Sequence, residues 1–186
     1  MKFKKQTLFS LAIAASVLAS CSSKQTENTE SNAALDNIMT RTSIRAYTAD
    51  SISKENIETM LRAAMAAPSA GNKQPWRFVV IENRATLDSI GANFGSMKMA
   101  SQAPLGIVVC GDLEATFPEE GRDYWIEDTS AAMENLLLAA HSIGLGAVWC
   151  GIYPMSDRVQ AFSEMLSLPE NIIPMGVAII GHPPVS

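Results

Sequence analysis

The chain has few of the residues that hold metal ions and little positive charge. It contains two histidines and three cysteines among 186 residues. Neither His141 nor His182 has a second ligand at helical spacing, so we expect no metal site. Acidic residues outnumber basic ones by 19 to 14. An acidic chain without a basic cluster is poorly suited to nucleic acid, and we expect no nucleic-acid partner.

No apolar run is long enough to cross a bilayer as a helix, which needs about 20 residues. The run from Leu8 to Ala19 is interrupted by two serines and follows a basic start at residues 1–5. These are the dimensions of a secretory signal, and we predict that residues 1–20 form one.

The predicted signal ends in Leu-Ala-Ser-Cys, residues 18–21. This ending resembles a bacterial lipobox, in which the cysteine thiol receives a diacylglyceryl group and cleavage frees its amine. The resemblance implies lipidation at Cys21 and export, with the protein anchored to a membrane at its periplasmic or outer-membrane face. The alternative is an ordinary secretory signal followed by a chance cysteine.

Residues 22–33 contain no aromatic or large aliphatic side chain. Such a segment buries too little apolar surface to offset its ordering entropy, so we predict a flexible tether over 21–33 and a domain over 34–186. Removing residues 1–20 removes three lysines, which leaves 11 basic and 19 acidic residues and a net charge of −8. The remaining length fits one domain. A homodimer with an apolar interface would explain the hydrophobic fraction of 47%.

With Cys21 lipidated, two cysteines remain, Cys110 and Cys150. An exported protein is permitted a disulfide. Both residues lie in apolar, strand-like runs where buried free cysteine is common, so we favour two reduced thiols over a bridge.

Apolar periodicity predicts four strands and five or six helices. The predicted helices cover 32–40, a segment from the Ser53 cap to Pro68, 84–91, 96–103, 127–143, and a segment from the Ser156 cap to Leu166. The predicted strands are 76–81, 105–110, 147–152 and 175–180. This order lacks clean βαβ units, so we predict an α+β layered domain rather than a doubly wound parallel sheet.

The segment Arg-Thr-Ser-Ile-Arg, residues 41–45, is the first candidate site. In an extended chain Arg41, Ser43 and Arg45 point to the same side. Guanidinium groups bind phosphate through paired donors, so the segment suits an anion. A solvated basic turn is the alternative.

Two further segments could contact a flat ligand. In residues 67–76, Ala-Pro-Ser-Ala-Gly-Asn-Lys-Gln-Pro-Trp, the amides of Asn72 and Gln74 carry both donors and acceptors. In residues 144–151, Gly-Leu-Gly-Ala-Val-Trp-Cys-Gly, a strand ends in glycine, which lets a ligand approach the backbone. A helix-stop loop and a tight helix-to-strand turn are the respective alternatives.

Taken together, the three segments resemble the nitroreductase family of FMN-dependent oxidoreductases, over about residues 35–182. The matching patterns are R-x-S-x-R, A-P-S-x-x-N-x-Q-P-W, and N-L-L-L-A-A-x-x-x-G-L-G-x-x-W-x-G over residues 135–151. The resemblance implies a central, mainly antiparallel sheet wrapped by helices. It also implies an intertwined homodimer with two FMN molecules at the subunit interface.

The resemblance also assigns cofactor-binding roles. Arg41, Ser43 and Arg45 would hold the FMN phosphate and ribityl end, and Lys98 would lie near the pyrimidine end of the ring. A backbone N–H near Gly151 would bond to flavin N5. The remaining residues would border the ring, the first five of them from the other subunit: Pro68, Ser69, Ala70, Asn72, Gln74, Trp149, Cys150 and Ile152.

The implied reaction passes electrons or hydride from a reduced donor, typically NADH or NADPH, through FMN to a nitroaromatic, a quinone or another conjugated acceptor. The cofactor supplies this chemistry, so we name no catalytic side chain. The alternatives are a dehalogenase-type or flavin-fragmenting relative, or a tethered flavin-binding lipoprotein without turnover. Phe117, Tyr124 and Trp125, in an irregular stretch over 111–126, could form a lid or serve as packing contacts.

Two departures from the family pattern bear on cofactor binding. Relatives usually continue past residues 181–186 with a further basic residue for the phosphate, so we expect weaker FMN retention. Gly95 and Ser96 lie where relatives often have an asparagine.

NADH and NADPH are also scarce outside the cytoplasm, so we expect a membrane quinol or an exported redox protein as the electron source.

Overall fold

The computed structural model of the protein describes residues 32–184. The predicted signal, Cys21 and the tether up to residue 31 lie outside this range. The described part contains five α-helices and four β-strands. In chain order they are α1 (Ala33–Thr40), α2 (Lys54–Met65), β1 (Trp76–Ile81), α3 (Arg84–Asn93), β2 (Leu105–Asp112), α4 (Tyr124–Ser142), β3 (Gly146–Gly151), α5 (Ser156–Leu166) and β4 (Ile172–Gly181).

The four strands form one antiparallel sheet in the order β1-β2-β4-β3. In the centre, β2 and β4 pair along their whole lengths, with an irregularity in register between Val109 and Cys110. All eight residues of β2 are buried, as expected for a strand covered on both faces. The predicted α+β fold with a mainly antiparallel central sheet is confirmed.

Side-chain alternation along β2 divides the core into two layers. Leu105, Ile107 and Val109 pack with residues of α2 and α4 on one face. Val108 and Cys110 pack on the other face with residues of α3 and α5. Successive side chains of a strand point to opposite faces, so one apolar run supplies both layers.

Helix α4 crosses the first face and is the longest helix, at 19 residues. It begins at Tyr124, three residues before the predicted start, so Tyr124 and Trp125 belong to a helix and not to an irregular stretch. The early start is explained by packing, because Trp125 is buried against the backbone of Gly111 in β2.

The short elements follow local sequence signals. Ser53 caps α2, as predicted, because its side-chain oxygen accepts a hydrogen bond from a backbone N–H of the first turn. Asn32, predicted as the first residue of a helix, is instead the cap of α1, and its side-chain oxygen accepts from two backbone N–H groups. Ser156 does not act as a cap: it is the first residue of α5, preceded by Met155, which makes no side-chain cap bond. The predicted helix over 96–103 is a 3₁₀ helix, Gly95–Ser101, kinked at Met97.

No helix within residues 32–184 combines the length and apolar character needed to span a membrane.

Replacing Gly111 by alanine tests the contact between α4 and β2. A Cβ atom at this position would overlap the Trp125 ring, so we expect the free energy of unfolding to fall by about 2 kcal/mol. Urea unfolding followed by circular dichroism measures the change. Gly95→Ala is the matched control, because a Cβ there meets no neighbour. Equal stability of the two variants would contradict the packing described here.

Candidate functional site

The outer edge of β3 is the starting point of the site, because β3 is a border strand of the sheet. Within the described residues, one bridge covers this edge: Ser43 pairs in parallel with Ala147, and the Ile44 N–H donates to the Ala147 carbonyl at 3.0 Å. Because the pairing is parallel, Arg45 lies two residues further along the edge, beside Trp149.

The alternating orientation of residues along a strand determines which backbone N–H and C=O groups face outward on the rest of this edge. In an antiparallel ladder a residue's N–H and C=O point to the same side, and the side alternates along the strand. The Ala147 carbonyl faces outward to Ile44, so the backbone groups of Trp149 and Gly151 also face outward. A Cβ at Gly151 would meet nothing within 4 Å. The end of β3 therefore presents an open backbone surface to a ligand.

A cavity of about 310 Å³ lies on this edge. Its lining joins polar, apolar and cationic residues: Arg45, Ser96, Val148, Trp149, Cys150, Gly151, Met155 and Arg158. Arg45 and Arg158 are the charged members, and neither forms an ion pair with a carboxylate within residues 32–184. Two unpaired guanidinium groups beside an open strand end suit a flat ligand that carries negative charge.

The Cys150 thiol is close enough to both arginines to be affected by their charges. Burial raises the pKa of Cys150, while the positive charges of Arg45 and Arg158 oppose the rise. Burial raises the pKa of Cys110 to about 12. Both thiols are free and buried, as predicted. Because both pKa values are raised, both groups remain thiols at neutral pH and are poor nucleophiles.

Apart from the five predicted residues of the loop after α2, four predicted site residues lie outside this cavity. Arg41 is turned toward α4, where its Nε lies 3.4 Å from Glu134. Ser43 takes part in the backbone bridge to β3, and its exposed side chain does not line the cavity. Lys98 is exposed on the 3₁₀ helix but does not line the cavity. Ile152 is fully buried in the core, and its side chain does not line the cavity.

The loop after α2 has a strained, exposed backbone. Gly71, Asn72 and Gln74 have φ angles of 55°, 55° and 50°. These angles lie in the left-handed region, which residues other than glycine rarely adopt. The amides of Asn72 and Gln74 are exposed and form no hydrogen bond within residues 32–184. Strained residues with unused polar groups are typical of ligand-binding loops.

Asp128 of α4 anchors this loop and was not identified from the sequence. Its Oδ1 accepts a hydrogen bond from the Ala70 N–H at 2.8 Å. The side chain is 4% exposed, and its Oδ2 has no partner within the described residues. The available sequence signal was an acidic residue on the apolar stripe of the helix, four residues before the buried Ala132. A buried carboxylate oxygen without a donor marks a place where a ligand or water would bind.

A second cavity, of about 360 Å³, surrounds Asp128. Its lining includes three predicted site residues and four from α4: Pro68, Ser69, Ala70, Tyr124, Glu127, Asp128 and Ala131. It shares no residue with the cavity on β3. One chain therefore presents two separate halves of the predicted site, which we call the β3-edge half and the loop half.

The aromatic residues predicted as a lid divide between two places. The rings of Phe117 and Tyr124 meet edge to face at 6.1 Å beside the loop half. Trp125 is 3% exposed and contacts the Tyr153 ring edge-on at 5.0 Å. It borders a third cavity, of about 510 Å³, between α4 and α5. Only Phe117 and Tyr124 are placed to cover a ligand in the loop half.

Within residues 32–184, no group of three or more histidine, cysteine or acidic side chains could hold a metal ion. The charged groups of the β3-edge half are cations, so this half suits an anionic ligand.

Comparison with known proteins identifies the family. The family model described as "Nitroreductase family" matches residues 38–97 and 91–182. These matches include both halves of the site and nearly all of the described fold. The chain belongs to the nitroreductase family.

Three similar proteins show how much of each chain the likeness covers. A protein of Archaeoglobus fulgidus, provisionally named NADH dehydrogenase/NAD(P)H nitroreductase, is 46% identical over 147 residues, covering 78% of this chain and 83% of the relative. A crystal structure from Bacteroides thetaiotaomicron with the same provisional name is 48% identical, with a TM-score of 0.78 and coverage of 83% and 89%. A nitroreductase structure from Desulfovibrio desulfuricans, in complex with FMN, is 35% identical, with a TM-score of 0.71 and coverage of 82% and 87%.

Removing the Asp128 carboxylate tests the loop anchor. In Asp128→Ala the Ala70 N–H loses its acceptor, at a cost of about 1 kcal/mol, so its hydrogen exchange should accelerate about fivefold. Exchange over residues 68–75, followed by mass spectrometry, measures this. Asp128→Asn keeps an oxygen acceptor and should exchange like the wild type. Equal acceleration in both variants would contradict the assigned hydrogen bond.

Proposed function

We propose that this protein is an FMN-dependent oxidoreductase that passes electrons from a reduced donor to small conjugated acceptors. The observation that carries the proposal is the β3-edge cavity, where Arg45 lies with Trp149 and an outward-facing Gly151 N–H. The FMN bound by the Desulfovibrio relative supports the choice of cofactor.

The residues present fit a flavin. The ring is flat and polar along one edge, and the end of β3 combines an open glycine with the indole of Trp149. FMN also carries a phosphate, and its reduced ring carries a negative charge. Unpaired arginines and the unused amides of Asn72 and Gln74 match these groups. A cavity of about 310 Å³ lies at the small end of the range for ligand sites, about 300–1,000 Å³. A second surface is needed to enclose the cofactor.

In this proposed function, the chain's own residues bind and orient the flavin. Bound FMN supplies the redox chemistry, accepting an electron pair from the donor and passing it to the acceptor. The Gly151 N–H and Trp149 would hold the ring at the strand end, and Arg45 would neutralise negative charge there. Asp128 fixes the loop that carries Asn72 and Gln74. No side chain is assigned a proton-transfer role.

A homodimer would bring the two halves together. Helix α1 has no buried residue, and its apolar side chains Leu35, Ile38 and Met39 are exposed, Met39 by 82%. A surface of this kind is typical of one covered by a partner. We propose that the loop half of one subunit completes the β3-edge half of the other.

The electron donor and the electron acceptor of the flavin are the more specific part of the proposed function. NADH or NADPH is the donor in the names of the relatives, and nitroaromatics or quinones are the proposed acceptors. The lipobox-like residues 18–21 support an exported, lipid-anchored protein at the periplasmic or outer-membrane face. In that location we propose a membrane quinol or an exported redox protein as the physiological donor, since nicotinamide cofactors do not cross membranes freely.

Cofactor titration with the purified chain tests the proposed activity. We expect one FMN bound per chain by fluorescence titration, and anaerobic bleaching by NADPH or a quinol analogue. Colour should return when a quinone or nitroarene is added. Arg45→Gln should weaken FMN binding about tenfold, the effect of losing about 1.4 kcal/mol. Lys54→Gln, an exposed charge on α2, is the control.

A chain that binds no FMN in this titration would contradict the proposal. A chain that binds FMN without turnover would instead be a flavin-binding lipoprotein. Fast turnover with NADPH and none with any quinol analogue would count against the proposed membrane donor.

Metabolic labelling tests the anchor. In a bacterial host supplied with labelled palmitate, the full chain should incorporate the label and sediment with membranes. Cys21→Ser should remove both properties, because the thiol is the proposed attachment point. Cys110→Ser should retain them. Unlabelled wild-type protein in the soluble fraction would show that residues 18–21 are not a lipidation signal.

A further inference from the structure

We propose that Arg158 acts with Arg45 as a two-guanidinium site that binds an anionic group of the flavin, either its phosphate or its reduced ring. This inference rests on the proposed function and names a residue that no sequence pattern indicated. Arg158 lies in the first turn of α5, seven residues after the end of β3.

A hydrogen bond places Arg158 on the ligand-facing edge. Its Nη1 donates to the Gly151 carbonyl at 2.9 Å. Because the orientation of residues alternates along the strand, this carbonyl faces outward, on the same side as the Gly151 N–H and the edge occupied by Arg45. A guanidinium group has five N–H donors in a rigid fork, so this bond leaves others for a ligand.

The electrostatic environment of Cys150 also indicates that the two arginines lie near the same group. Both act on the Cys150 thiol, where each opposes the rise of the thiol pKa caused by burial. Both line the same cavity, which has no acidic residue in its lining. The three arginine–carboxylate ion pairs within residues 32–184 involve other arginines: Arg41, Arg77 and Arg84. Two cations near one thiol repel each other, and an anion between them would relieve this repulsion.

The alternative role for Arg158 is only to hold the Gly151 peptide in place. Arg158→Gln separates the two roles, because a glutamine amide still has an N–H donor for the carbonyl but carries no charge. Arg158→Lys keeps the charge but not the fork. Lys54→Gln removes an equal charge from a position where it opposes the α2 dipole, so it controls for net charge without loss of stability.

The experiment measures equilibrium binding and reduction potential in the full chain. FMN and riboflavin, which lacks the phosphate, are titrated by fluorescence, and the two-electron midpoint potential of bound FMN is measured by anaerobic dye equilibration. If the anion is the phosphate, Arg158→Gln should weaken FMN binding about tenfold and leave riboflavin binding unchanged. If it is the reduced ring, the potential should fall by about 30 mV, a tenfold relative loss of affinity for the reduced form.

Either result supports the anion site, and Arg158→Lys should recover part of the loss. The inference is overturned if Arg158→Gln matches Lys54→Gln in every measurement while wild-type protein still binds FMN. It is also overturned if the lysine variant is as deficient as the glutamine variant, since charge would then not be the cause. A wild-type chain that binds neither flavin refutes the proposed function and this inference together. Thermal unfolding of each variant establishes that it is folded.

Discussion

The pairing of β2 with β4 is the interaction on which the rest of the structure depends. β2 is buried over its whole length and β4 from Pro174 to Gly181, so the backbone polar groups of these residues depend on the ladder for their partners. Their alternating side chains form two apolar layers, one under α2 and α4 and the other under α3 and α5. The centre of the sheet is thereby closed to ligands, and binding surfaces are left at its borders.

The site follows from this arrangement. Strand β3 lies at the border, and within residues 32–184 its outward backbone groups are occupied only by the bridge to Ser43 and by the Arg158 bond to the Gly151 carbonyl. The loop half lies elsewhere, held by the hydrogen bond between Asp128 and Ala70. Each half contains charged groups whose pairing is incomplete within residues 32–184. In the β3-edge half two arginines form no ion pair with a carboxylate, and in the loop half one carboxylate oxygen of Asp128 accepts no hydrogen bond. A flavin enclosed between two subunits would use both, while the exposed apolar face of α1 would be covered in the same dimer.

Local patterns predicted the secondary structure well, because strand alternation, the Ser53 cap and the stop at Pro68 act over a few residues. The early start of α4 depends on Trp125 packing against Gly111, a contact distant in sequence. In the site, R-x-S-x-R was recognised, but the structure separates Arg41 from Arg45. Asp128 and Arg158 were missed because their roles depend on tertiary contacts that spacing does not encode.

The central claim is that each flavin site combines the β3-edge half of one subunit with the loop half of its partner. Mixed dimers test it most directly. One subunit carries Arg45→Glu and the other carries Asn72→Ala with Gln74→Ala, and differently tagged chains are co-purified and titrated with FMN. If the halves come from different subunits, each parent dimer should bind poorly and the mixed dimer should bind one FMN with wild-type affinity. A mixed dimer without such a site, or a chain that stays monomeric with FMN bound, would contradict the account.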